Sequence, residues 1–151
     1  QELSLRDLLR EAGQKSKRFA ESYRVVMEVD SDLAGEIRVI AHREMLMRSL
    51  ANLLRNGIQH AGETGRVSVG VRREGAEAVV SVVDTGSPLT EEACALAFTA
   101  QGQLSGKNVA GGRYSRGLGL YAARVAADLA GATVLVLVAA GGLFELRIRT
   151  S

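Results

Sequence analysis

The sequence predicts an α+β fold of two layers, a mixed and mostly antiparallel sheet with three main helices on one face. Three observations point to it. Apolar residues recur at helical spacing in separate segments, they alternate with period two between those segments, and turn residues join strands in pairs.

The first helix is read from "SLRDLLREAGQKSKRFAES", where Leu5, Leu8, Leu9, Ala12 and Phe19 share one face and Ser4 with Asp7 resembles a capping box. "YRVVMEVD" alternates Val25, Met27 and Val29 as a half-buried strand, and "EIRVIA" is a second short strand. A long helix follows over about residues 42–60, its apolar face made by Leu50, Leu53, Leu54 and Ile58. After the turn "AGETG", "RVSVGVRRE" alternates Val67, Val69 and Val71; "AEAVVSVVD" follows across "EG", so the two form a hairpin. "LTEEACALAFTA" reads as a short helix with Thr90 as its N-cap, and a glycine-dense run extends from Gln101 to Gly119. "GLGLYAARVAADLAG" is a helix closed by Gly131, where a left-handed C-cap favours glycine. "ATVLVLVAAGGLFELRIRT" ends the chain as two strands about Gly141 and Gly142. With neither an internal repeat nor a boundary in view, residues 1–151 read as one domain.

Composition narrows the function classes. A net charge of +2 and an aromatic content of 4% without Trp argue against a nucleic-acid partner, which needs a basic face or stacking side chains. Cys94 is alone between alanines, so it builds neither a disulfide framework nor a thiolate metal cluster and reads as a packed thiol. No apolar stretch reaches the roughly 20 residues of a membrane span, and the first residues lack both a signal-peptide core and an initiator Met. The expectation is a cytoplasmic domain without direct membrane contact, cut from a longer protein whose other segments can carry a membrane anchor.

Three features carry chemistry. Opposite the leucines of the long helix lies a polar stripe of Asn52, Asn56, Gln59 and His60. A stripe of this kind is ordinarily a solvated face. Asparagine is nevertheless a poor helix former, and amide oxygens one turn apart suit Mg²⁺, which keeps several waters and bridges to substrate phosphates. Next, Asp84 ends an apolar strand and enters "DTGSP". It either caps the turn or accepts from the exocyclic amine of a buried base, with Gly86 letting backbone approach the ligand. Last, the glycine-rich run leads into "SRGLGLYAAR", where free amides at a helix N-terminus favour an anion and Lys107, Arg113 and Arg116 are within the same stretch. A flexible surface loop is the plain alternative. Walker, Rossmann and H-E-x-x-H motifs are absent.

In this order the segments resemble the ATP-binding catalytic domain of sensor histidine kinases, in the GHKL ATPase superfamily. "LANLLRNGIQHA" resembles its N box, "VVDTGSP" its G1 box, "SRGLGLYAAR" its G2 box, Phe98 the first Phe of its F box, and "AAGGLFELRI" its closing hairpin. The resemblance covers essentially the whole chain. It implies the Bergerat fold and a role for each matching residue. Asn56 would ligand Mg²⁺ and Asn52 would position the γ-phosphate of ATP; both are the catalytic candidates. Gln59 stands beside the triphosphate and His60 beside adenine or ribose. Asp84 would hold the adenine amine, with Gly86 in the same turn. Gly117, Leu118 and Gly119 would meet the phosphates through their backbone, and residues 101–116, including Arg113 and Arg116, would form a mobile ATP lid. The implied partners are a histidine-bearing dimerisation hairpin of the same protein and a downstream response regulator, because neither His42 nor His60 stands in the context of the phosphorylated histidine.

Three positions depart from the family pattern. Pro88 replaces the second glycine of the G1 box, fixing φ and removing a donor where the lid begins. Gln59 stands where Lys is common, removing a cation beside the triphosphate. "FTAQ" keeps only the first Phe of its motif. These departures suit two alternatives: a degenerate member acting as a binding or scaffold module, or an anti-sigma-type serine kinase. The segment before the N box speaks against the latter.

Overall fold

Side chains that satisfy free backbone amides set where the first two helices begin. In the computed structural model, which describes residues 1–86, 119–138 and 142–151, Ser4 Oγ accepts from the Asp7 amide at 3.3 Å and opens α1 (Leu5–Ser22). His42 does the same for α2 (Arg43–Ala61), its Nδ1 accepting from the Met45 amide at 3.3 Å. A third helix, α3 (Gly119–Ala130), stops at Gly131, whose φ of 85° is the left-handed conformation predicted for that cap.

The strands are β1 (Glu2–Ser4), β2 (Val26–Val29), β3 (Arg38–Ile40), β4 (Arg66–Glu74), β5 (Glu77–Asp84), β6 (Thr133–Val138) and β7 (Gly142–Arg149). Five of them form a sheet in the order β2-β4-β5-β7-β6. Only β2 and β4 pair in parallel; β4–β5, β5–β7 and β6–β7 are antiparallel, as a mixed and mostly antiparallel sheet requires. Both predicted hairpins are present. The strand read from "EIRVIA" stands apart from this sheet. β3 pairs with β1 in a separate two-stranded ladder, and an isolated bridge from Val39 to Thr150 ties it to the end of the chain.

Alternation along the strands sends Val67 and Val69 of β4, Val80 and Val82 of β5, and Phe144 and Leu146 of β7 into one core with Leu46, Leu50, Leu53 and Ile58 of α2. Leu5, Leu8 and Leu9 of α1 and Ala123 and Ala127 of α3 complete it. Alanines on α3 let that helix lie close to α2, where the buried Ser49 hydroxyl donates to the Ala123 carbonyl at 2.8 Å. At the far end of α3, the Ala130 carbonyl accepts from the His42 amide at 3.2 Å. The opposite face of the sheet carries charge: Arg72 reaches Glu145 at 2.8 Å, and Arg147 reaches Glu74, Glu77 and the same Glu145.

Two predicted features lie outside the described residues. These are the short helix with Thr90, Cys94 and Phe98, and the glycine-rich lid with Arg113 and Arg116. Pro88, Gly117 and Leu118 lie outside them too, and Gly119 enters only as the first residue of α3.

Candidate functional site

The register of β5 aims Asp84 at the helices. It follows Val80 and Val82 on the inward side of the strand, opposite Val67 on β4 and Gly142 on β7. The strand end is held by a reciprocal pair: the Thr85 amide donates to the Arg66 carbonyl at 3.1 Å, and the Arg66 amide donates to Thr85 Oγ1 at 3.0 Å. Asp84 is therefore a fixed point, and its carboxylate is buried.

What it meets is the last turn of α2. His60 Nδ1 lies 2.6 Å from Asp84 Oδ1, and each side chain is 1% exposed. The same oxygen accepts from the Gly86 amide at 2.8 Å. The glycine is required here because a Cβ at position 86 would overlap the His60 carbonyl oxygen and come within 2.7 Å of its ring. Backbone approach, the role the sequence suggested for Gly86, is thus an approach to His60.

One turn earlier on α2, Asn56 is buried, and its Nδ2 has no hydrogen-bond partner among the described residues. A buried amide hydrogen without an acceptor is costly, so a group of this kind points to a ligand that completes it. A phosphate oxygen is a suitable acceptor, and the amide oxygen of the same side chain is a suitable ligand for Mg²⁺. Among the described residues no cluster of three or more His, Cys, Asp or Glu could hold a metal. Asn52, a further turn back, is half-buried.

Gln59 is not brought to Asp84. Its Nε2 donates to the Tyr23 hydroxyl at 3.4 Å, across to the end of α1. Arg55, one turn before it, lies over the Phe19 ring at 4.6 Å, and the Phe19 and Tyr23 rings meet tilted by 38°, with centroids 4.8 Å apart. This α1–α2 seam is absent from the sequence reading. The signal was available as two pairs four residues apart, Phe19 with Tyr23 and Arg55 with Gln59, each making one helix face. The predicted stripe thus divides: Asn56 and His60 are buried, His60 against the end of β5, and Gln59 turns toward α1.

The sequence profile of histidine kinase-, DNA gyrase B- and HSP90-like ATPases matches residues 41–150, which includes the helix and strand just described. The chain belongs to that family. Its relatives are sensor proteins: the sensor protein CzcS of Cupriavidus metallidurans is 29% identical over 97 residues, which are 64% of this chain and 20% of CzcS. The alginate biosynthesis sensor protein KinB of Pseudomonas aeruginosa is 30% identical over 115 residues, 76% of this chain and 18% of KinB. The chain thus spans about one fifth of the length of these curated relatives. Among solved structures, histidine kinase ThkA in complex with the response regulator protein TrrA is similar over 100% of this chain and 42% of ThkA, with a TM-score of 0.76 and 23% identity. The domain is of the sensor histidine kinase type, and its fold is that of histidine kinase catalytic domains. No helix among the described residues is long and apolar enough to cross a membrane.

Proposed function

We propose that this domain binds Mg²⁺-ATP between the polar face of α2 and the end of β5, and that the γ-phosphate passes to a histidine on a separate dimerisation hairpin. The observation that carries the reading is the buried Asn56 amide, its Nδ2 without an acceptor, one turn before the His60–Asp84 contact. Polar groups held this deep in an otherwise apolar core are explained by a ligand that is itself polar. Asp84 holds the adenine amine and Asn56 holds Mg²⁺ through its amide oxygen. Asn52 positions the γ-phosphate, and the backbone of Gly117, Leu118 and Gly119 meets the phosphates. Bound Mg²⁺ supplies charge neutralisation on the phosphates; the protein's share is to bind and orient the nucleotide. The onward acceptor is an aspartate of a response regulator, a partner supported by the complex of the ThkA relative.

A second reading, a scaffold module with weak nucleotide binding, is favoured by one observation. Gln59 is engaged with Tyr23, so this position brings no cation to the triphosphate.

A titration separates them. The 151-residue chain should bind a non-hydrolysable ATP analogue in a Mg²⁺-dependent manner, and both Asn56→Ala and Asp84→Ala should weaken that binding about tenfold or more. Absence of binding by the parent at millimolar nucleotide would remove the kinase reading and leave the scaffold. Addition of a histidine-bearing helical hairpin should then give acid-labile, base-stable phosphate on that hairpin.

A further inference from the structure

We infer that His60 is a positioning residue, whose Nδ1–H holds Asp84 Oδ1 and so fixes the carboxylate that reads the amino group of the purine. The inference rests on the nucleotide-binding reading above, and it gives His60 a role other than bordering the adenine or ribose.

Three features support it. The contact is short, at 2.6 Å, and both side chains are 1% exposed, so water does not compete for either group. Asp84 Oδ1 accepts from the Gly86 amide as well, at 2.8 Å. A backbone amide and an imidazole nitrogen thus stand against the same oxygen, and neither can follow the carboxylate into another rotamer: one is backbone, the other belongs to a ring held beside the Gly86 backbone. Finally, position 86 has no room for a Cβ beside the imidazole, so the ring, the turn and the carboxylate are assembled as one unit.

The recognition chemistry gives this unit its purpose. A purine 6-amino group is a donor of fixed direction, and a carboxylate distinguishes it from the 6-carbonyl of guanine, which would face it oxygen to oxygen. That discrimination depends on the carboxylate already standing in the orientation that accepts. In place of the imidazole donor, an apolar side chain would leave a buried carboxylate with one donor fewer and free to turn.

The test compares two nucleotides on one set of proteins. Parent, His60→Phe, His60→Asn and Asp84→Ala chains are titrated with an ATP analogue and with the corresponding purine nucleotide lacking the 6-amino group. In His60→Phe the ring remains and the donor is lost, whereas an asparagine amide restores a donor close to where Nδ1 stood. The positioning role predicts that His60→Phe weakens binding of the amino-purine on the order of tenfold. It also predicts nearly unchanged binding of the amine-free purine, partial recovery in His60→Asn, and no further loss when His60→Phe is added to Asp84→Ala. Equal losses for both nucleotides, or none for either, would overturn the positioning role and leave nucleotide binding intact. A parent that binds neither nucleotide overturns the functional reading and this role together. Should His60→Phe fail to fold, the nitrogen-15 spectrum of the parent decides: a proton on Nδ1 of His60, lost from its downfield position in Asp84→Ala, is required, and a bare Nδ1 overturns the role.

Discussion

Asn56 presents the plainest conflict between stability and function at the scale of one residue. Its side chain is buried in the middle of α2 while Nδ2 has no acceptor among the described residues. Asparagine is also among the weaker helix formers, so the position carries two local penalties that alanine would relieve. Against these stands the loss of a few packed atoms. Asn56→Ala should therefore change the free energy of unfolding by less than about 1 kcal/mol, or raise it, while weakening Mg²⁺-dependent nucleotide binding about tenfold or more. Denaturant melts without nucleotide, beside the binding titration, check this; a destabilisation above about 2 kcal/mol would mark the amide as a structural strut. Asp84 is the contrasting case. Its carboxylate is tied to His60 and Gly86, so its replacement should reduce stability and binding together.

At the scale of the element, α2 illustrates what periodicity reveals and what it hides. Leu50, Leu53, Leu54 and Ile58 were legible as the apolar face because burial of one stripe needs only the helical repeat. The cap at Ser4 and the stop at Gly131 were legible for the same reason, since both are local chemistry. The division of the polar stripe was not, because it depends on partners far along the chain: Tyr23 for Gln59 and Asp84 for His60. The β1–β3 ladder escaped because three-residue strands are too short to display alternation. Asp84 and Gly86 were recognised as a unit from the turn they share, but their common neighbour was not. Within α2, Gly57 offers a test of the helix itself. A Cβ there would meet Val82 at 3.5 Å and Val67 at 3.6 Å, ordinary contact distances, so the sheet leaves room for a methyl group. Gly57→Ala should stabilise the chain by about 0.5–1 kcal/mol through the reduced backbone entropy of the unfolded state, read as a higher denaturation midpoint. A lower midpoint would mean that α2 and the sheet are already at closest approach.

For the whole molecule, the sheet separates two kinds of polar chemistry. On the helix side a few buried polar groups gather at the end of β5, whereas the other side carries ion pairs across β4, β5 and β7. Single exposed pairs contribute little, but a connected set that shares partners resists rearrangement better than isolated pairs. Glu74 is a link in that set: hydrogen bonds from Arg147 first, and from Arg72 next, hold its carboxyl below the ordinary value of 4.5. Its partners respond in the opposite sense, with Arg72 raised chiefly by Glu145 and Arg147 raised chiefly by Glu74. The sign of the pH effect follows from linkage. A carboxyl with a lower pKa in the folded state binds protons more readily when unfolded, so it stabilises the fold above 4.5 and loses that contribution as pH falls through its folded value. Both arginines keep their charge throughout this range, so between the parent and a Glu74 variant the difference in titration comes from the Glu74 carboxyl. Glu74→Gln should thus melt below the parent at neutral pH, with the gap closing steadily in acid below about pH 4.5 and shrinking in high salt. Thermal melts of the two proteins from pH 7 to pH 3 read this directly, and a gap that persists unchanged into acid would mean that the glutamate acts by packing and not by charge.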